Sequence, residues 1–131
     1  MDQHILIIEA ANSLRANLVQ HLQQEGFQVS VTDRTEEAMT ILGKGGIGLI
    51  LLGLEELKRN GISLMRMIRQ LFPQINIITM NSGDQLDLSI ESMRLGAYDD
   101  FLIPFDLDAL MDCIRGVAAA LITKTKPGSN R

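Results

Sequence analysis

The 131-residue sequence predicts an α/β fold, with one parallel five-stranded sheet covered by helices on both faces. Three observations predict it. Five short apolar runs, rich in isoleucine and leucine, alternate with segments whose apolar residues recur at helical spacing. The connections between them are short, and parallel strands need a crossover helix packed back onto the sheet. The central runs are also continuously apolar, as strands buried on both faces require.

The first strand spans His4 to Ile8. Leu14, Leu18 and Leu22 then mark a helix, with Asn12 or Ser13 as N-cap and Gly26 as its stop. Phe27 to Thr32 alternates like a strand. Asp33 or Thr35 is expected to cap a short helix carrying Ala38, Ile41 and Leu42, closed by Gly43-Lys44-Gly45-Gly46. Ile47 to Leu52 is the third and most apolar strand. A polar stretch, Glu55 to Asn60, leads to Gly61 and a helix with Leu64, Ile68 and Leu71 on one face, ending near Pro73. Ile75 to Met80 forms the fourth strand, Asp84 to Leu95 a helix closed by Gly96, and Tyr98 to Leu102 the fifth strand. After Pro104, Asp106 opens a last helix with Leu107, Leu110, Ile114, Val117 and Leu121 inward. The domain is expected to occupy residues 1–122, with 123–131 a polar tail or the start of a linker.

The preferred topology is flavodoxin-like, strand order 2-1-3-4-5, which places functional groups at the carboxyl ends of the strands. Those ends carry Glu9 to Ala11, Gly53 to Glu55, Asn81 and Ser82, and Ile103.

Composition narrows the function classes. The chain is 46% hydrophobic and 21% charged, which is globular, and its net charge is −4 with scattered basic residues, so no nucleic-acid surface is expected. The single cysteine, Cys113, allows no intrachain disulfide and reads as an inert or partly exposed thiol. No CxxC or His/Cys spacing suggests zinc, and no apolar run reaches membrane-spanning length. With no signal peptide before the first strand, a cytoplasmic location is expected. Gly43-Lys44-Gly45-Gly46 follows a helix and lacks the phosphate-loop pattern, so it reads as a turn. His21 reads as a solvated residue on the first helix, and His4 as structural.

Three segments in register carry a family resemblance. "ILIIEAANSLR" resembles "ILIVDDDPSLR", "LILLGLEELKRNG" resembles "LILLDLMMPGMDG", and "GAYDDFLIPF" resembles "GAYDYLLKPF". Together, over about residues 3 to 122, they make the chain similar to the response-regulator receiver (CheY-like) domains of two-component signalling. The resemblance implies a pocket with an acidic pair that helps bind Mg²⁺, a phosphoryl-accepting aspartate, a hydroxyl and a lysine. It also implies a cis peptide before Pro104, an isomer that costs an X-Pro bond only about 0.5–1 kcal/mol.

The pocket positions fall on Glu9 and Ala10 for the acidic pair, Gly53 for the aspartate, Asn81 for the hydroxyl and Ile103 for the lysine. Glycine cannot be a nucleophile. The Glu55 carbonyl holds the place of another metal ligand, but a carbonyl and one carboxylate make a poor Mg²⁺ site. The losses are consistent, since charge of both signs has gone and Ile103 can pack against Gly53. The expectation is a degenerate pocket with no metal, cofactor or catalytic residue, in a pseudo-receiver that is not an enzyme and works by protein contacts.

Partners expected from the resemblance are a histidine kinase, a phosphotransferase, an attached output domain, or a second copy. The alternatives are a small-ligand sensor using the vacated pocket near Gly53, and a phospho-regulated receiver with another acceptor. At the position of the family's switch aromatic stands Asp100, expected to point outward. The face made by the fourth helix, fifth strand and fifth helix is expected to form a weak, salt-sensitive homodimer. Its charges are Arg94, Asp99, Asp100 and Arg115, and Met111 and Ala118 (with Ile122) supply an apolar stripe.

Overall fold

β3 (Ile47–Gly53) is the spine of the structure, and every side chain it carries from Leu49 onward is buried. The computed structural model describes residues 4–125, with side chains from His4 to Ala120. β3 pairs in parallel with β1 (His4–Ile8) on one side and β4 (Asn76–Ser82) on the other. β2 (Gln28–Thr32) and β5 (Asp99–Ile103) complete the sheet in the order β2-β1-β3-β4-β5, as the sequence predicts.

The two-residue period of the strands divides the core into two layers. Leu6, Ile8, Ile50, Leu52 and Ile77 face one side, where α2 (Thr35–Gly43), α4 (Arg59–Leu71) and α5 (Leu86–Arg94) bring Leu42, Ile62, Met65, Ile68 and Leu88. Ile5, Ile7, Leu49, Leu51, Ile78 and Met80 face the other. There α1 (Ser13–Gln24) and α6 (Leu107–Thr125) supply Leu18, Leu22, Leu110, Ile114 and Val117.

Three details of the predicted elements differ. The polar stretch Glu55–Asn60 is not a simple lead-in, because a short helix, α3 (Leu54–Leu57), follows β3 directly and α4 starts at Arg59. Leu54 is fully buried and drives this extra turn, while Lys58, at φ 51°, makes the break between the two helices. Gly61 allows their close approach, since a Cβ there would lie 2.6 Å from Leu54 Cδ2 and 3.2 Å from Leu57 Cβ. Leu71 is not inward but 60% exposed; the buried stripe of α4 is Ile62, Leu64, Met65 and Ile68, and Phe72 packs on the core instead. β4 runs on to Ser82, so α5 begins at Leu86 rather than Asp84.

Caps follow the same logic. Asn12 is the N-cap of α1, its side chain accepting from Arg15 N at 2.8 Å. Neither Asp33 nor Thr35 caps α2. Arg34 holds that position, and its N–H donates to the Thr32 hydroxyl at 3.1 Å. Gly26 and Gly96 close α1 and α5 at φ 94°, in the left-handed region where glycine is favoured. The Ile103-Pro104 peptide is cis, as expected. α6 continues to Thr125, into the stretch read as tail; residues 126–131, and the side chains of Leu121 and Ile122, lie outside the described residues.

Candidate functional site

The carboxyl ends of β1 and β3 meet at Glu9 and Gly53. Glu9 directly follows β1 and continues its ladder, donating its N–H to Thr32 O at 2.9 Å. Its side chain is 4% exposed and turns inward beneath the end of β3. A Cβ on Gly53 would fall 1.7 Å from Glu9 Oε1 and 2.9 Å from Glu9 Cδ. The Glu9 carboxylate therefore stands where a residue-53 side chain would stand. Ile103 does not fill that space, contrary to expectation. It packs half-buried against the core layer formed with α1 and α6. The pocket is not vacated; what remains is a cavity of about 130 Å³ lined by Glu9, Ala10, Asp33, Gly53, Glu56 and Leu57.

The Glu9 carboxylate has no cation bonded to it. Oε2 accepts from Asn12 Nδ2 at 2.8 Å, but Oε1 is buried without a hydrogen-bond partner among the described residues. The nearest arginine, Arg15, donates to the Glu9 backbone carbonyl at 3.0 Å and not to the carboxylate. Burial, with the nearby Glu55 and Glu56 charges adding to it, pushes the Glu9 carboxyl above its ordinary range, against the Asn12 hydrogen bond and Arg15.

The folded state holds the Glu9 proton more tightly than the unfolded chain, so this stability is complete below the ordinary carboxylate pKa and is lost as pH rises through the raised folded value. Glu9→Gln is expected to raise stability at pH 7, because it can keep the Asn12 hydrogen bond while removing a buried charge that has no cation on it. Urea unfolding of the two proteins should converge near pH 4, and a constant difference between pH 4 and 8 would show that Glu9 is not the origin.

The remaining pocket positions are turned to other work. Asn81 is fully buried, donates through Nδ2 to Gln85 O at 2.8 Å and Ser89 Oγ at 3.1 Å, and accepts from Ser82 N at 2.9 Å. Its amide hydrogens are thus consumed in the turn that starts α5. The Glu55 carbonyl accepts from Lys58 Nζ at 2.9 Å. Among the described residues no group of three or more His, Cys, Asp or Glu side chains could hold a metal ion. Of the Mg²⁺ donors that the resemblance implies, one carboxylate and one engaged carbonyl remain, and Asp33 and Glu56 at the cavity do not complete a metal-holding group with Glu9.

Asp100 corrects an expectation. It points inward rather than outward, and its Oδ1 accepts from the hydroxyl of Thr79, its register partner on β4. Thr79 is fully buried, and its hydroxyl also lies 3.3 Å from Ser92 Oγ. Ser92 in turn donates to Ser89 O at 2.9 Å, so a polar seam joins Asp100 through α5 to the Asn81 turn. Hydrogen bonding makes the inward aspartate affordable. The hint in the sequence is Thr79, one hydroxyl inside the apolar run of β4.

The predicted interface is also rearranged. Met111 is buried at 3% exposure, and Ala118 is half-buried beside Phe27 and Val117. Arg115 forks onto Glu25 at the end of α1, with Nε and Nη2 at 3.0 and 3.1 Å from its two oxygens, and also reaches Asp112. Arg94 and Asp99 are exposed as expected. Instead, the exposed apolar groups of this face are Leu86, Ile90 and Met93 on α5 and Tyr98 and Leu102 beside them. Cys113 is half-buried, and burial, with Asp99 nearby, pushes its thiol up to about 11, which suits an inert thiol. His21 is exposed, and the His4 ring is 2.7 Å from Ser30 Oγ on β2.

This fold, with its functional positions gathered at the strand ends, is that of a receiver domain. The family profile of the response regulator receiver domain matches residues 5–115, and the chain belongs to that family. It is 29% identical over 115 residues to sporulation initiation phosphotransferase F of Bacillus subtilis, covering 88% of this chain and 93% of that protein. It is 31% identical over 114 residues to the C4-dicarboxylate transport transcriptional regulatory protein DctD of Pseudomonas aeruginosa, covering 85% of this chain and 24% of that one. The chain thus spans nearly all of the first relative and about a quarter of the second. Among solved structures, the receiver domain of the TMAO respiratory system response regulator TorR superposes with a TM-score of 0.83 at 27% identity, over 90% of this chain and 98% of that one. A response regulator from Thermotoga maritima shares the fold at TM-score 0.81 and 24% identity, over 91% of this chain and 99% of that one. Among the described residues no helix is long and apolar enough to cross a membrane.

Proposed function

We propose that this receiver domain signals without accepting a phosphoryl group, as a cytoplasmic pseudo-receiver that works through protein contacts and is not an enzyme. One observation carries the reading: the Glu9 carboxylate lies in the space that an acceptor side chain at position 53 would occupy. The engaged amide of Asn81, the apolar Ile103 and the poor metal donor set support it. The test is intact-mass spectrometry after incubation with acetyl phosphate and Mg²⁺. The expected result is an unchanged mass, and a gain of one phosphoryl group would sink the reading. The cavity beside Gly53 is by itself, at about 130 Å³, well below the several hundred Å³ of ordinary ligand sites, which weighs against the alternative of a metabolite held there.

The contact surface is the α5–β5 face. Leu86, Ile90 and Met93 recur along one side of α5, next to an edge strand whose backbone is open to pairing. Such a surface suits a second copy, a histidine kinase or phosphotransferase, or an attached output domain. The expectation for the isolated domain is weak self-association, made salt-sensitive by Arg94 and Asp99. Sedimentation at about 100 µM, a concentration that reveals micromolar to millimolar pairing, is the measurement. Ile90→Lys should abolish the association. Arg115→Glu should leave it intact, because Arg115 is already paired with Glu25 inside the chain.

A further inference from the structure

We propose that the acidic cavity beside Gly53 receives the guanidinium of an arginine side chain carried by a partner protein. The inference rests on the phosphorylation-independent reading, because a phosphorylated pocket would have no use for such a group. Glu9 lines the cavity beside Gly53 and is more than nine-tenths buried, and its Oε1, closed off next to Gly53, has no partner among the described residues. Asp33 and Glu56 stand exposed at the mouth. The cavity is therefore a buried acceptor ringed by two further carboxylates.

The cations nearest to it are engaged elsewhere. Arg15 is on the Glu9 carbonyl, Lys58 on the Glu55 carbonyl, and Arg34 is turned towards Glu37 at 4.0 Å. A charge from outside would complete the site. A divalent metal needs several oxygen ligands converging at bonding distance, and Glu9, Asp33 and Glu56 do not form such a group. A guanidinium needs only acceptors for its forked N–H groups, and it is more weakly hydrated than an ammonium, so it enters a buried site more readily. A volume of about 130 Å³ equals roughly four waters' share of the liquid, room for a guanidinium head but not for a whole peptide residue.

What continues from the cavity argues for a protein source. Asp33 and Leu57 also line a larger cleft of about 650 Å³ between α2 and α4, floored by Met39, Leu64 and Met67. An arginine's methylene stem and its apolar sequence neighbours would bury against these side chains, with the head inserted beside Glu9. A free guanidine would reach the carboxylate and leave the cleft empty.

The experiment is an NMR titration of the ¹⁵N-labelled domain with the blocked pentapeptide Ala-Leu-Arg-Leu-Ala. Matched titrations use the same peptide with citrulline for arginine, agmatine, and Mg²⁺ alone. The arginine peptide is expected to shift the amides of Glu9, Gly53 and Leu57 and to bind about tenfold more tightly than the citrulline peptide or agmatine. Glu9→Gln should erase that preference, and Glu56→Gln, an exposed change that spares the fold, should reduce it. Equal binding of arginine and citrulline peptides, or an undiminished preference in Glu9→Gln, overturns the inference. So does agmatine binding as tightly as the peptide, or Mg²⁺ saturating the same amides. Failure of the titration with an unchanged mass in acetyl phosphate leaves the phosphorylation-independent reading standing; a phosphoryl adduct overturns both.

Discussion

Gly53→Asp is expected to cost about 2–3 kcal/mol of stability at pH 7 and to leave the domain unphosphorylated. The backbone at Gly53, φ −83° and ψ 121°, suits any residue, so the cost is not conformational. It arises from the side chain, whose Cβ would meet Glu9 Oε1 at 1.7 Å. Overpacking a core commonly costs about 1–3 kcal/mol, but here the obstacle is the end of a flexible side chain that can swing aside at the loss of its Asn12 bond. Gly53→Asn should therefore cost only about 1 kcal/mol. The aspartate adds a second carboxylate to a site with no cation on either, which raises the pKa of both. Its extra cost should grow as pH rises from about 4 to 7, as those groups are forced to ionise. Glu9→Ala in the Gly53→Asp background should restore most of the loss. Urea unfolding across this pH range measures all four proteins. A Gly53→Asp variant as stable as its parent, or one whose deficit ignores pH, would show that Glu9 does not hold the acceptor's space.

Much of this arrangement is legible in the residues. The five apolar runs give the strand number, and Ile47–Leu52, apolar on both faces as a fully buried parallel strand has to be, marks the central strand, while the order follows from the preferred flavodoxin-like topology. The missing acceptor is legible too, since Gly53 stands at the end of that run. What fills its place is not. Glu9 has the same identity whether it points to solvent or beneath β3, and that choice is made by Asn12, which caps α1 and holds Oε2 at once. The orientation of Asp100 depends in the same way on Thr79, twenty-one residues away and adjacent only once β4 and β5 pair. Arg115 meets Glu25 across 90 residues, a contact no local pattern announces. The extra helix α3 was hidden because one short turn with two leucines has too few residues to show a period.

Asn81→Asp is expected to be the most damaging single change among the pocket positions. The substitution keeps the shape and removes both amide hydrogens, so Gln85 O and Ser89 Oγ face a buried carboxylate in place of two donors. Asn81 is 0% exposed and has no cation beside it among its hydrogen-bond partners, and an uncompensated buried charge costs about 3–5 kcal/mol. The carboxyl would respond with a raised pKa, so the deficit should shrink as pH falls towards 4 and be complete at neutrality. Asn81→Thr, which restores the hydroxyl expected from the family resemblance, can replace only one of three hydrogen bonds and should cost about 1–2 kcal/mol without conferring phosphorylation. Hydrogen exchange locates the effect. The amides of Leu88 and Ser89, which both donate to Gln85 O, should lose protection in both variants, while Ile50 and Leu51 in β3 keep theirs. If Asn81→Thr instead left α5 protected and the mass rose with acetyl phosphate, residue 81 would be a phosphoryl ligand after all and not the pin that joins β4 to α5.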